Sequence, residues 1–174
     1  MKHSFLRIIG IFALGMILLP ASSHFNASAQ SKEQTESTGS ALEKGNGARA
    51  LEGTWNVVVT IRICQTGTPL ATFKAMDLFM QGGSVVDTNS TPPTTRGPGF
   101  GSWAHVSENQ FSATLRFYQY NPDGSFAGVR RVAQEITLAA DSNSWESVVS
   151  NITYDPSGNQ TGTGCATAVA TRAE

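Results

Sequence analysis

The sequence predicts an all-β protein, a single antiparallel up-and-down barrel of about eight strands. Three observations predict it. After Leu51, apolar and polar residues alternate at period two, and no segment sustains a helical period. Clusters of Gly, Pro, Asn and Asp break this alternation roughly every eight to twelve residues, the spacing of short strands and tight turns. Finally, the two cysteines, Cys64 and Cys165, fall in the first and last of these runs, so the outer strands can be set side by side.

The barrel is expected to begin late in the chain. Lys2 and Arg7 bracket the approach to an apolar run from Ile8 to Leu19, and Ala27-Ser28-Ala29 offers a small-x-small cleavage site. That is the layout of a secretory signal peptide over residues 1–29. The run is short for a bilayer span, which needs ~20 residues, and no cysteine lies near the cleavage site to carry a lipid. A secreted or periplasmic product with no membrane anchor after processing is expected. Residues 30–50 are mostly Ser, Glu, Lys, Gly and Gln. Such a segment cannot offset its ordering entropy and is predicted to be a disordered linker. The barrel domain then runs over 51–174, about 124 residues, enough for one core.

The first run, Thr54–Cys64, sets Trp55, Val57, Val59, Ile61 and Ile63 on one side, the core, with Asn56, Thr60, Arg62 and Cys64 on the other. Ala71–Met80 and Ser84–Thr88 follow, divided by the Gly82-Gly83 turn signal. Asn89 to Gly101 is the longest irregular stretch, rich in Pro, Thr and Gly, and suits a mobile connection or a lid at a barrel mouth. Beyond it come Ser102–Val106 and Gln110–Tyr120, the latter with Phe111, Ala113, Leu115, Phe117 and Gln119 in one inward row. The turn Asn121-Pro122-Asp123-Gly124 leads to Ala127–Ala139, whose inward row is Arg130, Val132, Gln134, Ile136 and Leu138. Asp141-Ser142-Asn143 precedes Ser144–Tyr154, where two facings fit: Trp145 and Val149 inward, or Val148, Ile152 and Tyr154. A turn from Asp155 to Asn159 leads to the last run, Gly164–Arg172.

Two cysteines in an exported chain most simply form one disulfide. With the first and last strands antiparallel and Cys64 facing Cys165, Val57 stands opposite Arg172 and Trp55 lies diagonal to it on the same face. The disulfide is then an outer staple, and a guanidinium meets an indole at one end of the interior.

Gly53-Thr54-Trp55 at the first strand and Arg172 near the end of the last resemble the signature of the calycin barrels, which include lipocalins and avidins. The resemblance implies a closed barrel end plugged by a cation–π contact between Arg172 and Trp55, with Gly53, Trp55 and Arg172 structural. It covers residues 51–174 as architecture and only those few residues as motif. The helix that follows the barrel in lipocalins, their Thr-Asp-Tyr motif and a biotin-reading set of the avidin kind are not found. Phe79-Met80-Gln81-Gly82-Gly83 and Gly101-Ser102-Trp103 also resemble a loose group of secreted bacterial proteins, which implies no activity.

Chemistry is narrowed mainly by subtraction. Without the signal peptide, ten basic side chains stand scattered against thirteen acidic ones, so nucleic acid is not an expected partner. His105 is then the sole histidine. That rules out a metal site built on several histidines; no metal, cofactor or catalytic residue is predicted. No phosphate loop, dinucleotide fingerprint or paired-carboxylate arrangement is visible. Ala166, Ala168 and Ala170 share the inward face with Arg172 and leave room for a small apolar ligand. Trp103, His105, Phe111, Leu115, Phe117, Gln119, Arg130, Gln134, Ala166 and Ala168 are the candidate ligand-binding residues. The predicted function is a secreted, non-catalytic barrel holding a small hydrophobic or amphipathic ligand. The alternatives are a barrel-type cyclase or isomerase acting on a small apolar substrate, and an extracellular interaction module with a packed interior. Oligomeric state is not legible.

Overall fold

The computed structural model describes residues 47–174. The signal peptide expected over 1–29, and the linker as far as residue 46, lie outside the described residues. Eight antiparallel strands close into an up-and-down barrel in sequence order: β1 (Gly53–Arg62), β2 (Pro69–Met80), β3 (Ser84–Asn89), β4 (Gly99–Ser107), β5 (Gln110–Tyr120), β6 (Phe126–Leu138), β7 (Ser144–Tyr154) and β8 (Gln160–Arg172). Each strand is joined to the next in sequence by a short turn except β3 and β4, where Ser90–Pro98 arches over one end. Closure removes the unpaired edges that an open sheet of this size would expose.

One end of the barrel is plugged. Trp55, Phe79, Trp103, Phe111 and Trp145 meet there in edge-to-face and tilted contacts, with ring centroids 6.0 to 6.4 Å apart. Such pairs favour the offset that their quadrupoles impose. Of the two facings open to β7, the structure takes Trp145 and Val149 inward, leaving Val148 exposed. The indole N–H groups of Trp55 and Trp103 donate to the carbonyls of Leu51 and Met80, at 2.9 and 3.0 Å. The row Trp55, Val57, Val59, Ile61 does not stay in the core throughout. Exposure rises along it to 37% at Ile61, because the strand climbs from the plugged floor to an open mouth.

The seam between β1 and β8 corrects one detail of the expected register. Trp55 stands directly opposite Arg172, and Arg62 opposite Cys165, so the pairing is two residues away from a direct Cys64–Cys165 match. A shift of two preserves which face each side chain takes. The disulfide therefore still forms, diagonally on the outer wall, with Cα atoms 5.1 Å apart.

The Arg172 guanidinium lies 4.3 Å from the centroid of the Trp55 ring. It also donates to the carbonyls of Ala50, Glu52 and Ser142. Gly53 has φ +120°, and a Cβ there would sit 2.9 Å from Arg172 Nη1. The glycine of Gly-x-Trp is thus needed both for its backbone and for the passage of the arginine. Two of the three carbonyls come from residues just before β1. Residues 47–49 form a helical turn and Ala50 packs against the core, so the end of the predicted linker is part of the plug. Arg172→Met is expected to cost about 2–3 kcal/mol, because it strands partly buried carbonyls as well as losing the ring contact. A urea melt of the variant checks this.

Candidate ligand cavity

Above the aromatic floor the barrel is hollow, with a cavity of about 380 Å³. A liquid water occupies ~30 Å³, so the space matches roughly a dozen waters. Small side chains create it: Ala75 on β2 and Ala166 and Ala168 on β8 point inward where larger residues would meet the opposite wall. Val57, Val59, Phe73, Val132 and Val149 complete an apolar lining. Two other hollows, of about 520 and 510 Å³, lie on the outside of the barrel among outward residues such as Asn56, Val58 and Thr171. The interior cavity is smaller but more enclosed, and only there do charged groups converge.

That convergence is the main departure from the sequence reading, which found no paired carboxylates. Asp77 on β2 and Asp87 on β3 are direct cross-strand partners, and both face the interior, 3% and 7% exposed. Arg96, from the arch between β3 and β4, turns inward over the mouth. Its guanidinium stacks 3.9 Å from the Phe117 centroid and donates to Asp87. The arch itself is tied to β5: Gly97 N–H donates to the Tyr118 carbonyl and Tyr120 N–H to that of Thr95. Gly99 is opposite Asp87, and a Cβ there would fall on Asp87 Oδ1. The absence of a side chain at 99 is what lets this carboxylate lie against the wall.

These groups perturb one another. Burial, reinforced by the negative charge of Asp87, pushes the Asp77 carboxyl up to about 7, while Arg96 and Gln134 pull it back. Burial also raises Asp87, opposed by Arg96. Burial and the nearby Arg96 charge lower the pKa of Arg130. Several buried polar atoms lack partners among the described residues: Arg96 Nε, Arg130 Nε and Gln134 Oε1 on the cavity lining, and Ser147 Oγ and Trp145 Nε1 on β7 outside it. Unmet hydrogen-bonding capacity around a hollow is what a ligand or ordered water would satisfy.

The predicted ligand-binding residues divide by level. Leu115, Phe117, Arg130, Gln134, Ala166 and Ala168 line the cavity together. Trp103 and Phe111 belong to the aromatic floor at the Trp55 end. His105 sits at that same end, its ring 5.0 Å from Phe111 and its Nε2 2.8 Å from the Glu108 carbonyl, where it supports the β4–β5 turn. Gln119 bridges through its backbone to Arg96 at the mouth. Asp77, Asp87 and Arg96 are the site residues that the sequence reading missed. Alternation could have found two of them: Asp77 shares parity with Ala75 and Phe79, and Asp87 with Val85.

No family model matches the chain, and no curated protein matches it. Among solved structures the chain is similar to Rv2717c from M. tuberculosis, known from a crystal structure. The identity is 13% and the TM-score 0.37, over 77% of this chain and 98% of that one. Eight closed antiparallel strands with a plugged end are consistent with a calycin-like barrel. The Cys64–Cys165 disulfide fits an oxidising extracellular or periplasmic setting.

Proposed function

We propose that the barrel binds a small amphipathic molecule in its interior. One observation carries this reading: a hollow of about 380 Å³ with an apolar wall on one side and unpartnered buried polar atoms on the other. Ligand sites are concave, mostly apolar and equipped with a few placed polar groups. The interior is packed only at its closed half, which speaks for a binding barrel over a filled scaffold.

Ala168→Phe is the direct test. Its ring projects into the cavity in place of a 3% exposed alanine, and the fold is expected to lose about 1–3 kcal/mol while staying folded. Native mass spectrometry of the protein purified from exporting cells is expected to show a retained small molecule, absent from the variant. A wild-type spectrum with no adduct, together with equal uptake of an apolar dye by both proteins, would sink the reading.

A second reading, a barrel-type cyclase or isomerase, is favoured by the Asp77–Asp87 pair. A buried carboxyl poised near neutrality suits proton transfer to or from carbon. It predicts that a retained molecule exchanges a carbon-bound hydrogen for deuterium in heavy water, and that Asp77→Asn stops the exchange. Binding without exchange leaves the barrel a carrier.

A further inference from the structure

The charged groups of the cavity do not pair off. Arg96 and Arg130 flank Phe117, the first stacked on its ring and the second its cross-strand partner on β6. Arg96 donates through Nη2 to Asp87 and through Nη1 to the Gly97 carbonyl, leaving Nε buried and unpartnered. Arg130 Nε is likewise buried without a partner, and Arg130 has no ion pair among the described residues. Two guanidiniums thus share one end of a hollow with a single carboxylate salt bridge between them.

We propose that this end of the cavity is an oxyanion site, which takes the carboxylate of an amphipathic molecule between Arg96 and Arg130 while its apolar body lies along Val59, Ala166 and Ala168. The inference rests on the ligand-binding reading and adds the class of ligand. An aliphatic wall accepts any hydrocarbon of suitable size; two unfilled donors on two cations select one with an acidic end. A carboxylate matches them because its two oxygens can each accept a charge-assisted hydrogen bond, one from each guanidinium.

Charge balance links this site to a proton. Asp77 is faced by Asp87 from β3, Arg96 from the arch and Gln134 from β6, while its β1 partner, Trp55, carries no charge. When Asp77 is neutral, two arginines exceed one carboxylate, and an incoming anion restores neutrality. When Asp77 is ionised, the same anion leaves an excess negative charge in a poorly solvated interior. Anion binding above the Asp77 pKa of about 7 therefore takes up one proton, and affinity falls about tenfold per pH unit there.

Calorimetric titration of the wild-type protein with decanoate and with decanol tests the proposal. Decanoate is expected to bind at least about tenfold more tightly than decanol. Arg130→Met is expected to abolish that preference and Arg130→Lys, which keeps the charge but not the Nε donor, to retain only part of it. The decline above neutral pH is expected for decanoate and not for decanol, and Asp77→Asn is expected to remove it. Equal affinity for the two probes, with both lost in Ala168→Phe, would overturn the anion site and leave the ligand-binding reading standing. Binding of neither probe would overturn both. The probe comparison is made on the wild type, so it holds even where Arg130→Met does not fold.

Discussion

Asp77→Asn is expected to make the protein more stable above neutral pH and to flatten its stability between about pH 4 and 7. The sign follows from linkage. In the unfolded chain this carboxyl releases its proton near the ordinary value of 3.8, whereas in the barrel it holds the proton to about 7. The folded state then binds more protons than the unfolded one across that window, so wild-type stability falls as pH rises through it. Below the window nothing is lost; above it the full cost of a buried, Asp87-facing anion is present. The difference corresponds to as much as ~4 kcal/mol. Asn occupies the same volume, keeps hydrogen-bonding capacity toward Gln134 and carries no charge, so the cost disappears. Urea melts at about pH 4.5 and about pH 8 measure it: the wild-type midpoint drops between the two and the variant's does not. An equal drop in both proteins would assign the pH dependence elsewhere, Asp87 being the first suspect, since burial raises it too.

The architecture can largely be read from sequence, and the site only in part. Period-two alternation, punctuated by Gly82-Gly83 and Asn121-Pro122-Asp123-Gly124, was enough for eight strands, because each strand is half buried and each turn needs particular backbone angles. The inward rows of β5 and β6 were legible for the same reason, and they bring Leu115, Phe117, Arg130 and Gln134 to the cavity. What alternation does not convey is height along the barrel axis. Trp103 and His105 have the parity of interior residues, yet they lie at the plugged end. Charged residues mislead in the opposite direction. Asp77 and Asp87 have core parity, but a lone aspartate in a strand reads as a surface position until the cross-strand register shows the other one beside it. Arg96 was least accessible of all. It belongs to an irregular stretch, and it reaches the cavity only because residues 95–97 pair with the end of β5. The Pro- and Gly-rich arch thus carries a guanidinium inward to the mouth of the cavity.

Replacing both cysteines by serine is expected to produce the largest loss, close to 4.7 kcal/mol. The disulfide joins residues 101 apart, and in the chain-entropy model a loop of ~100 residues closed in the unfolded state is worth about that much. The native contacts change little. The β1–β8 ladder holds itself from Trp55–Arg172 to Arg62–Cys165 without help from the sulfurs. The loss therefore belongs to the unfolded chain, which gains the freedom to separate its first and last strands, and it divides between the folding and unfolding rates according to whether those strands have met in the transition state. With a urea m-value of about 1–3 kcal/mol/M for a domain of this size, the midpoint moves by roughly 2 M or more, with m itself rising as the unfolded state expands. A change in the binding properties of the folded protein, by contrast, would mean that the staple also holds native structure together. The one place where it could do so is the mouth. The β1 ladder stops at Cys165, and beyond it Gly162, Thr163 and Gly164 line the cavity with only β7 to pair with. If the staple holds that lip closed, the serine variant binds cavity probes more weakly under native conditions; if its effect is confined to the unfolded chain, probe affinity is unchanged while stability falls.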